Sequence, residues 1–166
     1  TAIRIANEFH LRFSIEHCTD GYLIVDELVR NHVQCLLGPT VGGKGKIEAR
    51  NKTFKAGQIL ENAGITFGLI TDAPFVPIEG QLLQAALYVK NGLSREMALK
   101  CLTINNAIIT DIDSRVGSLE PGKDADVVIW DVEPLATLSQ VGIVIIDGQI
   151  AYRRKAGESN VDYQKL

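Results

Sequence analysis

The 166-residue sequence has little of several features that mark particular classes of protein. Aromatic residues make up only 6% of the chain, so the aromatic platforms that stack single-stranded nucleic acid are not expected. The net charge is −3, which offers no basic field to a nucleic acid. No segment reaches the roughly 18 apolar residues of a membrane span. We therefore expect a cytoplasmic globular protein with neither a nucleic acid nor a membrane as its partner.

Cysteine is also scarce, and its spacing argues against two kinds of site. Cys18, Cys35 and Cys101 are odd in number and far apart, which does not indicate a disulfide framework. No two of them have Cys-x-x-Cys spacing, which disfavours a thiolate zinc site. We expect reduced thiols, as in most cytosolic proteins.

Apolar periodicity indicates alternating strands and helices in the first two-thirds of the chain. Strands are predicted at residues 11–15, 33–37 and 65–71, and helices at 1–8, 21–29, 54–62, 80–90 and 95–109, with Ser94 as an N-cap. Helical connections between strands require parallel pairing. The predicted class is α/β.

The pattern changes after about residue 111, where turn residues precede three strands at 127–131, 141–146 and 149–153. Asp147-Gly148 between two apolar runs indicates a β-hairpin, because both residues must take positive φ. The predicted organisation is a partial barrel over residues 1–112, an antiparallel β segment over 113–157 and a polar tail over 158–166.

Two side chains stand out because each is a potential metal ligand at the end of an apolar strand. His17 follows the first strand and Asp72 follows the third. Since the carboxyl ends of parallel strands meet at one edge of the sheet, we expect the two to face each other, as on the rim of a parallel barrel. A divalent ion there would lower the pKa of water, and Asp72 could serve as general base. His10 and His32 are expected in a turn and at the opposite edge, outside this site.

Two alternatives remain open. The loop from Gly38 to Lys44 nearly matches the phosphate-binding pattern Gly-x4-Gly-Lys-[Ser/Thr], which would make the chain a nucleotide-binding module. However, Gly45 occupies the position of the required hydroxyl residue. The chain could also be a non-catalytic interaction domain whose polar residues at strand ends only cap the backbone.

Several stretches resemble the amidohydrolase superfamily. Residues 15–20 resemble its sixth-strand metal-ligand motif, and residues 71–74 resemble its eighth-strand aspartate motif. Residues 117–130 resemble the entry into its C-terminal β segment, and residues 144–150 are similar to the hairpin that follows. The likeness is nearest to the imidazolonepropionase-like and prolidase-like members.

This resemblance implies the C-terminal part of a (β/α)8 TIM-type barrel, strands six to eight, with part of a β-sandwich domain. It implies that His17 is a metal ligand and that Asp72 is both ligand and catalytic base. It also implies that the full-length protein binds one or two divalent ions, with zinc expected. The implied substrate is a small-molecule amide, cyclic amide or dipeptide, which the protein would hydrolyse.

The same resemblance implies a truncated chain. Family members carry a His-x-His pair on their first strand, and this sequence has none. The fragment alone is therefore expected to be inactive and to hold little or no metal. Three strands cannot close a barrel, so we also expect it to self-associate through open edges and apolar faces.

Overall fold

Three parallel strands form the first sheet of the protein. In the computed structural model, which describes residues 1–155, these strands are β1 (Ser14–Ile15), β2 (Gln34–Leu37) and β3 (Phe67–Leu69). β2 is central, with Ser14 opposite Gln34 and Cys35 opposite Phe67. The helices are α1 (Ala2–Glu8), α2 (Val25–Arg30), α3 (Lys55–Asn62), α4 (Gly80–Lys90), α5 (Arg95–Leu102) and α6 (Ile104–Ile109).

The core lies between this sheet and its helices. Leu37, Phe67 and Leu69 are at most 1% exposed, as expected for parallel strands that are covered on both faces. Tyr88 of α4 is fully buried and meets the ring of Phe54 edge to face, with centroids 5.1 Å apart. Burying each of these large side chains contributes about 1.5–3 kcal/mol, so the core fixes the positions of the strand ends.

A second, antiparallel sheet follows, made of β4 (Val127–Trp130), β5 (Val141–Ile146) and β6 (Gln149–Arg153) in that order. Asp147 and Gly148 connect β5 to β6 with φ of 49° and 75°, which confirms the predicted hairpin. The parallel sheet with helices and the separate antiparallel sheet confirm the predicted α/β architecture. The proposed domain boundaries stay a prediction, and the tail at 158–166 lies outside the described residues.

Several elements differ in extent from the prediction. The strand expected over residues 65–71 is limited to Phe67–Leu69, and the helix expected over 21–29 begins with a 3-10 turn at Gly21–Ile24 before α2. The first strand was expected over residues 11–15, and only Ser14 and Ile15 pair with β2. The helix expected over 95–109 is divided into α5 and α6 at Thr103, whose φ and ψ are −132° and −101°. Ser94 caps α5 as predicted, since its hydroxyl accepts a hydrogen bond from the Met97 amide at 3.1 Å.

Candidate active site

His17 and Asp72 lie together at the carboxyl edge of the parallel sheet. His17 is two residues beyond β1 and Asp72 is three residues beyond β3. Nε2 of His17 is 3.1 Å from Oδ2 of Asp72, and each side chain is about half exposed, at 50% and 46%. An imidazole nitrogen and a carboxylate oxygen therefore face the same accessible space.

The backbone turns sharply at both residues, with φ of 53° at His17 and 55° at Asp72. Positive φ is uncommon outside glycine, although Asp and His adopt it more readily than most residues. At Asp72 the turn closes with a hydrogen bond from the Phe75 amide to the Asp72 carbonyl at 2.8 Å. Positive φ alone does not mark a site here, because within residues 1–155 four other non-glycine residues share it: His10, His32, Asp111 and Asp147.

The two residues beside His17 differ in burial. Cys18 is buried, and its sulfur lies 3.3 Å from that of Cys35 on β2. The pKa of the Cys35 thiol is raised by its contact with Cys18 and by burial, which favours the neutral thiol. Glu16 is exposed. On this segment the imidazole of His17 is the group that lies beside Asp72.

The other two histidines lie apart from this pair. His10 is in the exposed turn after α1. His32 lies beside Val33 and Ile65, near the amino ends of β2 and β3, which is the opposite edge of the sheet. Across residues 1–155, no group of three or more His, Cys, Asp and Glu side chains is arranged to hold a metal ion. His17 and Asp72 thus provide two donors of a potential metal centre.

A buried glutamine connects the two loops that form this edge. Nε2 of Gln84 donates to the Ile70 carbonyl at 2.8 Å, and its Oε1 accepts from the Thr40 amide at 2.8 Å. Gly38 permits this approach, because a β-carbon there would lie 2.2 Å from the Ile70 carbonyl oxygen. Its φ of 131° is also unfavourable for other residues. Gln84 could not be identified from the sequence, since an amide in an apolar helix carries no signal of its partners.

The loop after β2 does not have the architecture of a phosphate-binding loop. A nucleotide site of that kind needs a helix that begins at the Gly-Lys step, so that its amino end faces the phosphates. Here Lys44 is followed by a single 3-10 turn at Ile47–Ala49, and α3 begins only at Lys55. The nucleotide-binding alternative therefore has no support in this geometry.

The same loop carries a shielded lysine. Lys52 is 8% exposed, and its Nζ donates to the carbonyls of Pro39 at 3.1 Å and Gly43 at 3.4 Å. The pKa of Lys52 is lowered, first by desolvation under the loop and then by the charge of Lys44. The loop after β2, which leaves the carboxyl edge of the sheet, thus carries two neighbouring cationic groups.

Comparison with known proteins identifies relatives along most of the chain. The profile of the Amidohydrolase family matches residues 4–151. An imidazolonepropionase from Picrophilus torridus is 49% identical over 41 residues, which are 25% of this chain and 10% of that protein. The crystal structure of an amidohydrolase from Thermotoga maritima MSB8 superposes with a TM-score of 0.89 at 38% identity, and covers 92% of this chain.

A further structure shares the fold. The crystal structure of a Xaa-Pro dipeptidase with bound methionine superposes with a TM-score of 0.65 at 24% identity over 92% of this chain. The chain spans 40% of the Thermotoga protein and 42% of the dipeptidase. Within residues 1–155, no helix combines the length and the apolar composition that a bilayer crossing requires.

Proposed function

Because the chain belongs to the amidohydrolase family, we propose that it contributes His17 and Asp72 to the metal centre of a hydrolase that cleaves amide C–N bonds. The observation that carries this proposal is the 3.1 Å approach of the imidazole and the carboxylate at the carboxyl edge of three parallel strands. Active sites of (β/α)8 barrels occupy that edge. We also propose that the longer protein of which this chain is a part forms a closed (β/α)8 barrel and is cytoplasmic.

The chemistry of the two donors suits a divalent ion such as zinc. Imidazole nitrogen and carboxylate oxygen are common zinc ligands, and catalytic zinc usually has about three protein ligands and one open position. His17 and Asp72 supply two, so the remaining ligands must come from other parts of a longer protein. We therefore propose that one or two ions bind that protein and that this chain alone is inactive.

In this proposal Asp72 moves the proton. A divalent ion held between these residues would acidify water and polarise the scissile carbonyl. The Asp72 carboxylate accepts a proton from the attacking water as the water oxygen bonds to the carbonyl carbon. When the C–N bond breaks, the protonated Asp72 donates that proton to the leaving nitrogen. Nε2 of His17, which lies 3.1 Å from the Asp72 carboxylate, would be the second protein ligand of that ion.

The proposed substrates are small molecules with an amide, a cyclic amide or a dipeptide bond. The imidazolonepropionase and dipeptidase among the similar proteins support this class. The half-exposed side chains of His17 and Asp72 are accessible to such a molecule. Which of these bonds the protein hydrolyses is the subject of the test below.

The decisive test is Asp72→Asn in the longer protein that contains this chain, assayed on a panel of dipeptides and cyclic amides. We expect turnover to fall by about 10²–10⁴-fold, since asparagine cannot accept the proton. Asp113→Asn, at an exposed position, is the matched control and should retain activity. Full turnover by Asp72→Asn would exclude its role as base.

Metal analysis tests the donor set separately. The longer protein should retain about one or two divalent ions after gel filtration, whereas this chain should retain far less, because two ligands seldom hold zinc. His17→Ala should lower the metal content of the longer protein. One equivalent of tightly bound zinc on this chain alone would contradict the proposed division of ligands.

A further inference from the structure

The loop between β2 and α3, residues 38–52, leaves the carboxyl end of the central strand, between the segments that follow β1 and β3. Near its end, Nδ2 of Asn51 donates to the Asp20 carboxylate at 3.2 Å, and the Tyr22 hydroxyl donates to the Asn51 carbonyl at 2.8 Å. Asp20 lies three residues after His17. Near its start, a β-carbon placed on Gly42 would lie 4.0 Å from the ring of Phe75, three residues after Asp72. The loop therefore hydrogen-bonds to the segment that carries His17 and approaches the segment that carries Asp72.

Two lysines brace this loop from within through backbone carbonyls. Nζ of Lys52 is held by the Pro39 and Gly43 carbonyls, and Nζ of Lys44 donates to the Arg50 carbonyl at 3.0 Å. Lys52 is 8% exposed, whereas Lys44 is exposed. The Lys52 ammonium is thus shielded from solvent by the loop, whereas the Lys44 side chain is exposed to solvent.

The charge on this loop is not balanced locally. Residues 38–52 contain four cationic side chains and a single carboxylate, although the whole chain has a net charge of −3. Of the ion pairs formed within residues 1–155, none joins Lys44 or Lys52 to a carboxylate. Carbonyl dipoles solvate an ammonium but do not neutralise it, so a shielded lysine beside a second lysine favours a bound anion.

The donor count leaves room for such an anion. An ammonium has three N–H groups. Two N–H groups of Lys52 and one N–H group of Lys44 donate to carbonyls of the loop. Among the described residues, one N–H group of Lys52 and two N–H groups of Lys44 therefore have no acceptor. A carboxylate has two oxygens that accept several hydrogen bonds between them, and it would be recognised by both charge and geometry.

We propose that Lys44 and Lys52 form the binding site for a carboxylate group of the substrate. The inference rests on the proposed function in placing this site beside the reacting amide. It specifies the substrate class as small molecules that carry a free carboxylate close to the scissile bond, such as N-acyl amino acids and dipeptides. The loop positions that carboxylate, and His17 and Asp72 meet the amide.

Amide-detected NMR titration of this chain tests the site without metal or turnover. The probes are N-acetylglycine and its neutral amide, N-acetylglycinamide, which differ only in the carboxylate. N-acetylglycine should shift the backbone amides of residues 42–52 with a Kd of about 1–10 mM, a range in which one anion contact is measurable. N-acetylglycinamide should leave them unchanged. Equal responses to the two probes, or no response to either, would overturn the proposal.

Variants in the same loop separate a defined site from general attraction. Lys44→Ala should weaken N-acetylglycine binding about fivefold to tenfold, as expected for loss of a partly exposed charge contact. Lys44→Arg, which keeps the positive charge, should bind N-acetylglycine with an affinity close to that of the wild type. Lys46→Ala removes the same charge from the same loop and should change the affinity less than about twofold. Equal losses in Lys44→Ala and Lys46→Ala would show that net charge alone attracts the anion and would refute the site.

Two further arms complete the experiment. Lys52→Met should abolish N-acetylglycine binding. The amide spectrum of this variant outside residues 38–52 reports whether the core is intact. If the loop rearranges in this variant, the Lys44 variants decide whether the site exists. Inorganic phosphate is the competing anion, and tighter binding of phosphate than of N-acetylglycine would show that the ligand class is wrong. Because none of these measurements requires turnover, their failure would leave the Asp72 test of hydrolysis untouched.

Discussion

Nε2 of Gln84 donates a hydrogen bond to the Ile70 carbonyl oxygen at 2.8 Å, and Ile70 lies two residues before Asp72. Oε1 of the same side chain accepts from the Thr40 amide, at the base of the loop after β2. Gln84 itself is fully buried in α4. A single amide therefore fixes the separation between the loop that carries the two lysines and the segment that carries the candidate base.

Gln84→Leu should destabilise the protein strongly. Leucine has a similar size but leaves the Thr40 amide and the Ile70 carbonyl buried without a partner, at a cost of about 2–4 kcal/mol in the free energy of unfolding. Urea denaturation followed by circular dichroism measures this change. Gln58→Leu, at an exposed position of α3, is the control and should stay within about 0.5 kcal/mol of the wild type. Equal stability of the two variants would show that water replaces Gln84.

The hairpin between β5 and β6 allows a test of backbone conformation alone. Gly148 has φ of 75°, and a β-carbon there would meet only Ala125 at an ordinary contact distance of 3.9 Å. Gly148→Ala should therefore lower the free energy of unfolding by about 1–2 kcal/mol through left-handed strain without a clash. Gly45→Ala is the control, because no atom lies within 4 Å of its β-carbon and its φ is not in that region. A neutral Gly148→Ala in thermal melts would mean that the turn adopts another conformation.

Asp131 should make stability depend on pH. The Gln140 amide donates to its Oδ1 at 2.9 Å and Arg154 donates to its Oδ2 at 3.1 Å, which together lower the pKa of this carboxyl in the folded state, the backbone amide contributing most. A lowered folded-state pKa stabilises the protein above the unfolded pKa of about 3.9, and this contribution disappears as pH falls through the folded pKa.

Urea midpoints of the wild type and of Asp131→Asn should therefore differ at neutral pH and converge as the pH falls from about 5 to about 2. Asp113→Asn, at an exposed position, controls for general charge effects and should follow the wild type at every pH. A constant difference between wild type and Asp131→Asn over this range would contradict the assignment.

Much of the fold could be predicted from the sequence because local pattern and tertiary packing agree in the parallel sheet and its helices. The apolar run at Cys35, Leu36 and Leu37 is a strand that is covered on both faces, as its composition indicates. His17 and Asp72 each follow a strand of the parallel sheet within three residues, and parallel pairing places them at one edge. Their proximity followed from topology, whereas their roles stay a proposal.

The break at Thr103 could not be predicted from periodicity. The Thr103 hydroxyl donates to the Leu99 carbonyl at 2.8 Å, so the side chain competes with the helical backbone at this point. Just beyond it, Asn105 donates to the Phe67 carbonyl at 2.8 Å. This contact joins residues that are 38 positions apart in the sequence and orients α6 against β3. A short sequence window does not contain both partners, so the contact cannot be predicted from local periodicity.

The polar groups around the site were missed for a similar reason. The structural roles of Gln84 and Lys52 depend on their hydrogen-bond partners, which lie in distant segments for Gln84 and in the same folded loop for Lys52. Lys44 was considered only as part of a phosphate-binding pattern, because its contact with the Arg50 carbonyl depends on how the loop closes. Sequence patterns indicate which residues follow a strand, but they do not indicate which carbonyls a loop leaves facing a lysine.

The antiparallel sheet should drive self-association of the chain. Val128 and Ile129 are adjacent in β4 and are 47% and 45% exposed, and since neighbouring strand residues point to opposite faces, both faces of the sheet are open. Ile146 and Ile150 are each 56% exposed. Apolar faces of this kind are covered in stable proteins, so we expect the 18.1 kDa chain to form dimers or larger species whose mass rises with concentration.

Sedimentation velocity measures this association, and a matched pair of variants locates it. Ile150→Lys should weaken the association about tenfold or more, because an apolar side chain leaves the interface and a charge enters it. Gln149→Lys adds the same charge at the neighbouring position on the other face and should have a smaller effect if the Ile150 face forms the contact. A single 18.1 kDa species at every concentration would show that the open faces do not associate. Equal weakening by both variants would indicate that charge, and not the apolar face, controls the assembly.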